Sequence, residues 1–185
     1  MSVTVSPALR RVVCAAGAAL MLAGCSGMSL EKEVPPPCPT VRLDRMTSQA
    51  VTFRGEGRDI TDMVHKIDVA GYLGECEYRP TEVILTLTPG FTVEKGPAAG
   101  DGLVQGTFQY FVAIPQYYPS PAAKEVFGLG FQFPDPVTPR VRIADEPLTL
   151  TLPRKGGESL EAVDIYLGLQ LTADQLRYNR ETGVR

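Results

Sequence analysis

The chain has 185 residues, of which 44% are hydrophobic and 21% charged, and its formal net charge at pH 7 is −3. This length is sufficient for one domain with a sizeable core and is short for two domains. Because acidic residues outnumber basic ones by 21 to 18, the chain lacks the basic footprint of a nucleic-acid-binding protein, and its charge argues against a polybasic patch for anionic lipids.

The first 25 residues have the organisation of an export signal. Arg10 and Arg11 come before a stretch of apolar and small residues, 12–23, that no charge interrupts. Such a stretch has the length of the hydrophobic part of a signal peptide, whereas a membrane-spanning helix needs roughly 20 residues. The stretch ends in the sequence Leu22-Ala23-Gly24-Cys25.

Leu22-Ala23-Gly24-Cys25 resembles the lipobox of bacterial lipoproteins. The resemblance implies that residues 1–24 are a signal peptide and that the chain is cut before Cys25. It also implies a covalent diacylglycerol on the Cys25 sulfur and an acyl chain on the new amine, and we expect no other cofactor. A thiolate is a strong nucleophile, and two or three acyl chains hold a protein stably on a bilayer. The alternative is an ordinary secretory signal with an unrelated cysteine.

The residues after Cys25 predict which membrane holds the anchor and which segment connects the anchor to the folded domain. In lipoproteins an aspartate after the lipidated cysteine favours the inner membrane, so Ser26 favours the periplasmic face of the outer membrane. Residues 25–37 are predicted to be a tether, because Pro35-Pro36-Pro37 favours an extended polyproline segment. We therefore expect the folded domain to occupy residues 38–185.

Two cysteines, Cys38 and Cys76, belong to the predicted domain. Disulfides form in exported proteins, and no Cys-x-x-Cys spacing indicates a redox pair. We therefore predict a structural Cys38–Cys76 bridge that closes a loop of about 39 residues, worth roughly 4 kcal/mol on loop-entropy grounds. A pair of free thiols is the alternative.

The domain sequence alternates apolar and polar residues at period two, with turn signals about every ten residues. The predicted strands are 41–43, 50–53, 67–73, 83–87 continuing at 91–93 beyond Pro89-Gly90, 104–114, 126–133, 141–143, 148–152 and 163–171. We expect Ile67, Val69, Gly71 and Leu73 to share one face of their strand. This pattern predicts an all-β fold, an antiparallel immunoglobulin-like β-sandwich of about eight or nine strands.

Only the C-terminal segment has helical character. Thr172 and Gln175 have the spacing of a capping box, which predicts a short helix that follows the last strand. We expect the residues from Asn179 onward to be frayed.

Motifs for catalysis are missing from the sequence. It has no Gly-x-Ser-x-Gly elbow, Walker A loop, dinucleotide fingerprint or metal-ligand spacing. The single histidine, His65, is expected to be a surface or hydrogen-bonded side chain. Four carboxylates are candidates for a dispersed site, although a solvated strand edge or turn is the simpler interpretation: Asp59, Asp62, Asp68 and Glu75. We predict no enzyme activity and no metal site.

One stretch has the composition of a binding surface. Pro115 and Pro119 flank Tyr117 and Tyr118, and prolines stiffen a loop while tyrosines offer large contact area at low entropic cost. The alternative is that the two tyrosines fill the open end of the sandwich.

Three functions remain open at this stage. We favour a non-catalytic lipid-anchored module that binds or scaffolds an envelope protein, since a tether raises the local concentration of its domain. The alternatives are a carrier for a small apolar or glycan ligand and a hydrolase built from dispersed carboxylates. A cavity of several hundred cubic ångströms would favour the carrier, and an exposed apolar patch over a filled core would favour the module.

Overall fold

Nine strands in two sheets enclose an apolar core in the computed structural model, which describes residues 36–100, 102, 105–155 and 158–183. The predicted signal peptide, Cys25 and the tether up to residue 35 lie outside these residues. The elements are β1 (Thr40–Leu43), β2 (Gln49–Phe53), β3 (Met63–Tyr78), β4 (Glu82–Lys95), β5 (Gln105–Ala113), β6 (Lys124–Gln132), β7 (Arg140–Ala144), β8 (Leu148–Pro153), β9 (Asp164–Leu169) and α1 (Ala173–Thr182).

The two sheets have four and five strands. The four-stranded sheet has the order β1-β9-β5-β6, and the five-stranded sheet has the order β2-β3-β4-β7, with β8 also paired to β4. All described pairs are antiparallel except β1 with β9, which is parallel. The predicted all-β sandwich of eight or nine strands with a short C-terminal helix is confirmed.

Strand β4 runs without interruption through Pro89 and Gly90, beyond which the sequence predicted that the strand continues. Its burial alternates along the strand, and every second residue from Val83 to Val93 is buried. On one edge of β4, β8 pairs with residues 82–87 and β7 with residues 90–94. Pro89 lies in the gap between these two partners, so its missing N–H removes no hydrogen bond on that edge, while its carbonyl accepts from the Asp145 N–H at 3.1 Å.

Strand β3 carries a bulge that corrects one prediction about its faces. The register with β4 shifts between Val69 and Gly71, and such a shift moves the following side chains to the opposite face. Leu73, expected to share the face of Ile67, is instead 75% exposed. Tyr72 now points inward and donates its hydroxyl hydrogen bond to the Val41 carbonyl at 3.1 Å.

An aromatic cluster joins the two sheets. The Phe91 ring of β4 lies 5.0 Å from the rings of both Phe108 and Tyr110 of β5. Tyr110 is fully buried, and its hydroxyl donates to Asp145 Oδ2 at 2.5 Å. Burial and this hydrogen bond both raise the pKa of Tyr110 above its ordinary value. The tyrosine therefore stays neutral and links β5 to the β7–β8 connection.

The predicted disulfide between Cys38 and Cys76 is confirmed, with 5.9 Å between the two Cα atoms. Cys38 lies two residues before β1, and Cys76 lies on β3. The bridge thus connects the segment that leads into the four-stranded sheet with a strand of the five-stranded sheet. Next to it, the Tyr78 hydroxyl donates to the Pro37 carbonyl at 2.5 Å.

Helix α1 begins with the predicted capping box. The Thr172 side chain accepts from the Gln175 N–H at 3.2 Å, and the Thr172 N–H donates to Gln175 Oε1 at 3.0 Å. The expectation that the chain frays from Asn179 is wrong, because Asn179 is fully buried. Its Nδ2 donates to the carbonyls of Met46 at 2.9 Å and Gln49 at 2.7 Å, which fixes the helix to β2.

Replacing Tyr110 with phenylalanine tests the link between the sheets. We expect Tyr110→Phe to lower the free energy of unfolding by about 1.5–3 kcal/mol, since a hydrogen bond to a charged acceptor is lost. The control Tyr72→Phe removes a hydrogen bond to a neutral carbonyl and should cost about 0.5–1.5 kcal/mol. Urea unfolding measures both values. Equal losses would contradict the larger contribution to stability that we expect from the Tyr110 hydrogen bond.

Candidate functional site

The loop between β5 and β6 is compact. It contains two short 3₁₀ turns, Pro115–Tyr117 and Pro121–Ala123, and a cis peptide bond between Tyr118 and Pro119. The Ile114 N–H donates to the Ala123 carbonyl at 2.7 Å and closes the base of the loop. The loop is therefore a closed hairpin connection that presents its tip beyond the two strands.

The two candidate tyrosines of this loop have different environments. Tyr117 packs against the core, and its hydroxyl is buried with no hydrogen-bond partner among the described residues. Burial raises the pKa of Tyr117, and the charge of Glu158 adds to that increase. Tyr118 is 82% exposed. Each of the two interpretations of the sequence therefore fits one tyrosine: Tyr117 fills the end of the sandwich, and Tyr118 remains available at the surface.

Pro115 and Pro119 are exposed as well. The part of the predicted binding surface that the structure brings to the outside thus consists of Pro115, Tyr118 and Pro119. The loop leads directly into β6, so this surface lies at one end of that strand.

Strand β6 is an outer strand of the four-stranded sheet. The hydrogen bond from Ile114 to Ala123 fixes which residues of β6 bond to β5, because bonding alternates along an antiparallel pair. It follows that the backbone groups of alternate residues point away from β5: Lys124, Val126, Gly128, Gly130 and Gln132. No described residue hydrogen-bonds to these groups. We call this row of free backbone groups the β6 edge.

The other outer strands are shorter or covered. At β2, the carbonyls of Gln49 and Val51 accept from Asn179 and Gln175 of α1, at 2.7 and 3.3 Å. The outer strands β1, β7 and β8 have four, five and six residues, whereas β6 has nine. Natural sheets usually protect long edges by covering them or by charge. Within the described part of the chain, the β6 edge is one of two open edges of nine residues. The other is segment 70–78 of β3, which β2 does not reach.

A cleft of about 550 Å³ lies between the two sheets. It opens where β9 leaves β5, since β9 pairs only with residues 110–113 of that strand. Its apolar wall consists of Ala50, Ile67, Phe108, Leu129 and Leu169, and its polar wall includes Thr52, His65, Thr107, Gln109, Gln170 and Gln175. None of the described residues that line this cavity, which we call the His65 cleft, is an aspartate, glutamate, lysine or arginine.

His65 is half-buried in this cleft, with its ring 5.6 Å from the ring of Phe131. Its Nδ1 atom is buried and has no hydrogen-bond partner among the described residues. Burial lowers the pKa of His65, which keeps the ring neutral at pH 7. The sequence predicted a surface or hydrogen-bonded side chain, and the structure places the ring half-buried at the cleft. His65 lies two residues from the buried Ile67 on the same strand. Residues two apart on a strand share a face, so this spacing was the sequence signal for an inward side chain.

The four candidate carboxylates do not share one site. Asp59 and Asp62 form the capping box of a short 3₁₀ turn, in which the Asp59 side chain accepts from the Thr61 N–H at 3.1 Å. Asp68 forms an ion pair with Lys66 at 3.2 Å, and Glu75 is exposed on β3. Among the residues that the structure describes, no group of three or more histidine, cysteine or acidic side chains is arranged to hold a metal ion.

Comparisons with family models, with curated proteins and with solved structures found no match to this chain. Within the described residues, no helix has the length and apolar composition that crossing a membrane requires.

Serine substitutions separate the roles of the two tyrosines. We expect Tyr117→Ser to lower the free energy of unfolding by about 1.5–3 kcal/mol, because a large side chain packed on the core is lost. Tyr118→Ser should change it by less than about 0.5 kcal/mol, since the side chain is exposed. Thermal and urea unfolding of both variants measure this. A large loss for Tyr118→Ser would show that it, too, is structural.

The buried imidazole of His65 predicts a loss of stability in mild acid. The native state resists protonation at His65, while the unfolded chain takes up a proton near pH 6.5. The unfolded state therefore binds more protons below that pH, and stability falls as the pH drops from about 6.5 towards the lowered native pKa. In His65→Gln this component should disappear. Urea unfolding between pH 7.5 and 5 compares the two proteins, and parallel pH curves would contradict the prediction.

Proposed function

We propose that this protein is a non-catalytic, lipid-anchored module of the bacterial cell envelope that binds an extended segment of another envelope protein. Cys25 is the proposed membrane attachment, and the β6 edge is the proposed binding surface. The observation that carries the binding proposal is a nine-residue strand whose free backbone groups have no partner in the described part of the chain.

The N-terminal sequence supports the anchor. Leu22-Ala23-Gly24-Cys25 follows a short apolar stretch, and acyl chains on Cys25 would give lasting attachment. Ser26 favours the periplasmic face of the outer membrane as the location. The disulfide between Cys38 and Cys76 agrees with this proposal, because structural disulfides are typical of exported proteins.

The geometry of β6 supports strand addition as the mode of binding. An extended peptide that joins a sheet edge gains main-chain hydrogen bonds, and its alternate side chains give specificity. Gly128 and Gly130 are exposed on β6, and a Cβ atom at Gly128 would meet nothing within 4 Å. An incoming strand therefore finds no bulky side chain at the centre of this edge.

The neighbouring loop supplies a second contact for the same partner. Lys124, the first residue of β6, holds its Nζ atom 4.5 Å from the centre of the Phe111 ring and donates to Gln170 Oε1 at 2.9 Å. These contacts hold the Lys124 ammonium group over β5 and the end of β9. The exposed Tyr118 precedes this point in the chain and offers an aromatic contact to a strand added along the β6 edge.

Photocrosslinking in intact cells tests the binding surface. A photoreactive residue at Val126, on β6, should capture a specific envelope protein, whereas the same residue at the exposed Val137 should not. In this background Gly128→Pro removes one free N–H of the edge, and capture should be lost. Gly128→Ala is the matched control, because it keeps that N–H, and capture should persist.

Two results would contradict the binding proposal. One is equal capture at Val126 and Val137. The other is capture at Val126 that survives Gly128→Pro, once thermal unfolding has shown that this variant is folded.

The anchor is tested separately in the same cells. Labelled palmitate should be incorporated into the wild-type protein and not into Cys25→Ala. Wild-type protein without label, or with an intact N-terminal methionine, would exclude the anchor while leaving the β6 edge as a binding surface.

A further inference from the structure

The composition of the His65 cleft points to a ligand of a different kind from the proposed protein partner. Its volume of about 550 Å³ is within the range of small-molecule sites, roughly 300–1,000 Å³. The described lining combines apolar side chains with uncharged polar ones. A charged ligand would lose its hydration there without gaining an opposite charge, so the lining favours an uncharged one.

Several polar groups of the cleft have unused hydrogen-bonding capacity. The side chains of Thr52, Thr107 and Gln109 make no hydrogen bond to any described residue. Gln175, by contrast, is occupied, because its amide donates to the Val51 carbonyl and accepts from the Thr172 N–H. Of these three, Thr52 lies beside His65 on β2, whereas Thr107 and Gln109 are exposed on β5 and alternate with the inward Phe108 and Tyr110.

His65 supplies one directed donor. Its Nδ1 atom is buried and unpartnered among the described residues, and its Nε2 atom makes no hydrogen bond to any of them. Burying an N–H donor without an acceptor is costly. The neutral ring therefore carries its proton on Nε2, and that N–H faces the cleft.

The apolar wall of the cleft determines what else a bound ligand must have. Ile67 and Leu169 are almost completely buried, and Phe108 and Leu129 are partly buried. Ile67 lies beside His65 on β3, while Phe108, Leu129 and Leu169 belong to the other sheet and offer an apolar surface opposite His65. A ligand that satisfies both walls has an apolar face and at least one oxygen atom that accepts a hydrogen bond.

We propose that the His65 cleft binds a small uncharged ligand that has an apolar face and a hydroxyl or carbonyl oxygen, which accepts from His65 Nε2. Two sources share this chemistry: a neutral sugar of the envelope and an uncharged amphiphilic small molecule. This site is independent of the β6 edge, and either can exist without the other.

Fluorescent naphthalene probes test the proposal on the folded protein. 6-Propionyl-2-dimethylaminonaphthalene is uncharged and has a carbonyl oxygen, while 1-anilinonaphthalene-8-sulfonate has a similar ring system and a negative charge. The uncharged probe should bind saturably and at least tenfold more tightly than the charged one. Neutral mono- and disaccharides that displace it identify the sugar source, and a lack of displacement identifies the amphiphile.

Substitutions locate the bound probe. His65→Leu should weaken binding about three- to tenfold, the effect of one hydrogen bond, and His65→Gln, which keeps a donor, should weaken it less. Thr52→Phe fills the cleft and should abolish binding. Thr88→Leu is the matched control, because Thr88 lines a separate apolar groove of about 330 Å³ on the outside of β3 and β4, and it should leave binding unchanged.

The proposal is overturned by any of three results. The first is no saturable binding of the uncharged probe together with no binding of the sugars by calorimetry. The second is equal affinity for the charged probe. The third is binding that survives Thr52→Phe, or that Thr88→Leu removes, in proteins with wild-type thermal unfolding.

Discussion

The packing of β4 against β5 is the constraint on which the rest of the fold depends. Alternate residues of β4 from Val83 to Val93 are buried, so one strand supplies a continuous apolar strip along the five-stranded sheet. Phe91 presses this strip against the rings of Phe108 and Tyr110. The hydrogen bond from Tyr110 to Asp145 adds a polar contact inside the core, and charge-assisted bonds of this kind are among the stronger ones. Sheet separation and register are therefore fixed at the same place, and the strands on either side are positioned relative to it.

The regular parts of the fold could be predicted from the sequence because period-two patterning depends only on neighbours along the chain. The departures depend on neighbours in space. Pro89 remains in β4 because β8 and β7 meet the strand on either side of it, which no local pattern reveals. The bulge after Val69 reversed the expected face of Leu73. Asn179 looked like a fraying residue, yet its amide reaches two carbonyls more than 100 residues away.

The two candidate binding regions lie on either side of β5. On one side, β6 pairs with β5 along its whole length and has no partner of its own among the described residues, which leaves the β6 edge open. On the other side, β9 pairs only with residues 110–113, and the remainder of β5 borders the His65 cleft. The sequence predicted neither region, since it contains no information about where a partner strand ends. It did identify Tyr118 and its flanking prolines, because stiff aromatic loops have a local signature.

The disulfide has a specific consequence for a domain held by its N-terminus. Tension from the proposed lipid anchor would enter the domain at residues 36–39 and act first on β1, a strand of four residues with a single parallel partner. Cys38 comes before β1 and is bonded to Cys76 on the 16-residue strand β3. The covalent bridge therefore carries the load past β1 into the five-stranded sheet. In this arrangement β1 can remain short, with β9 as its one partner among the described strands, without bearing that load.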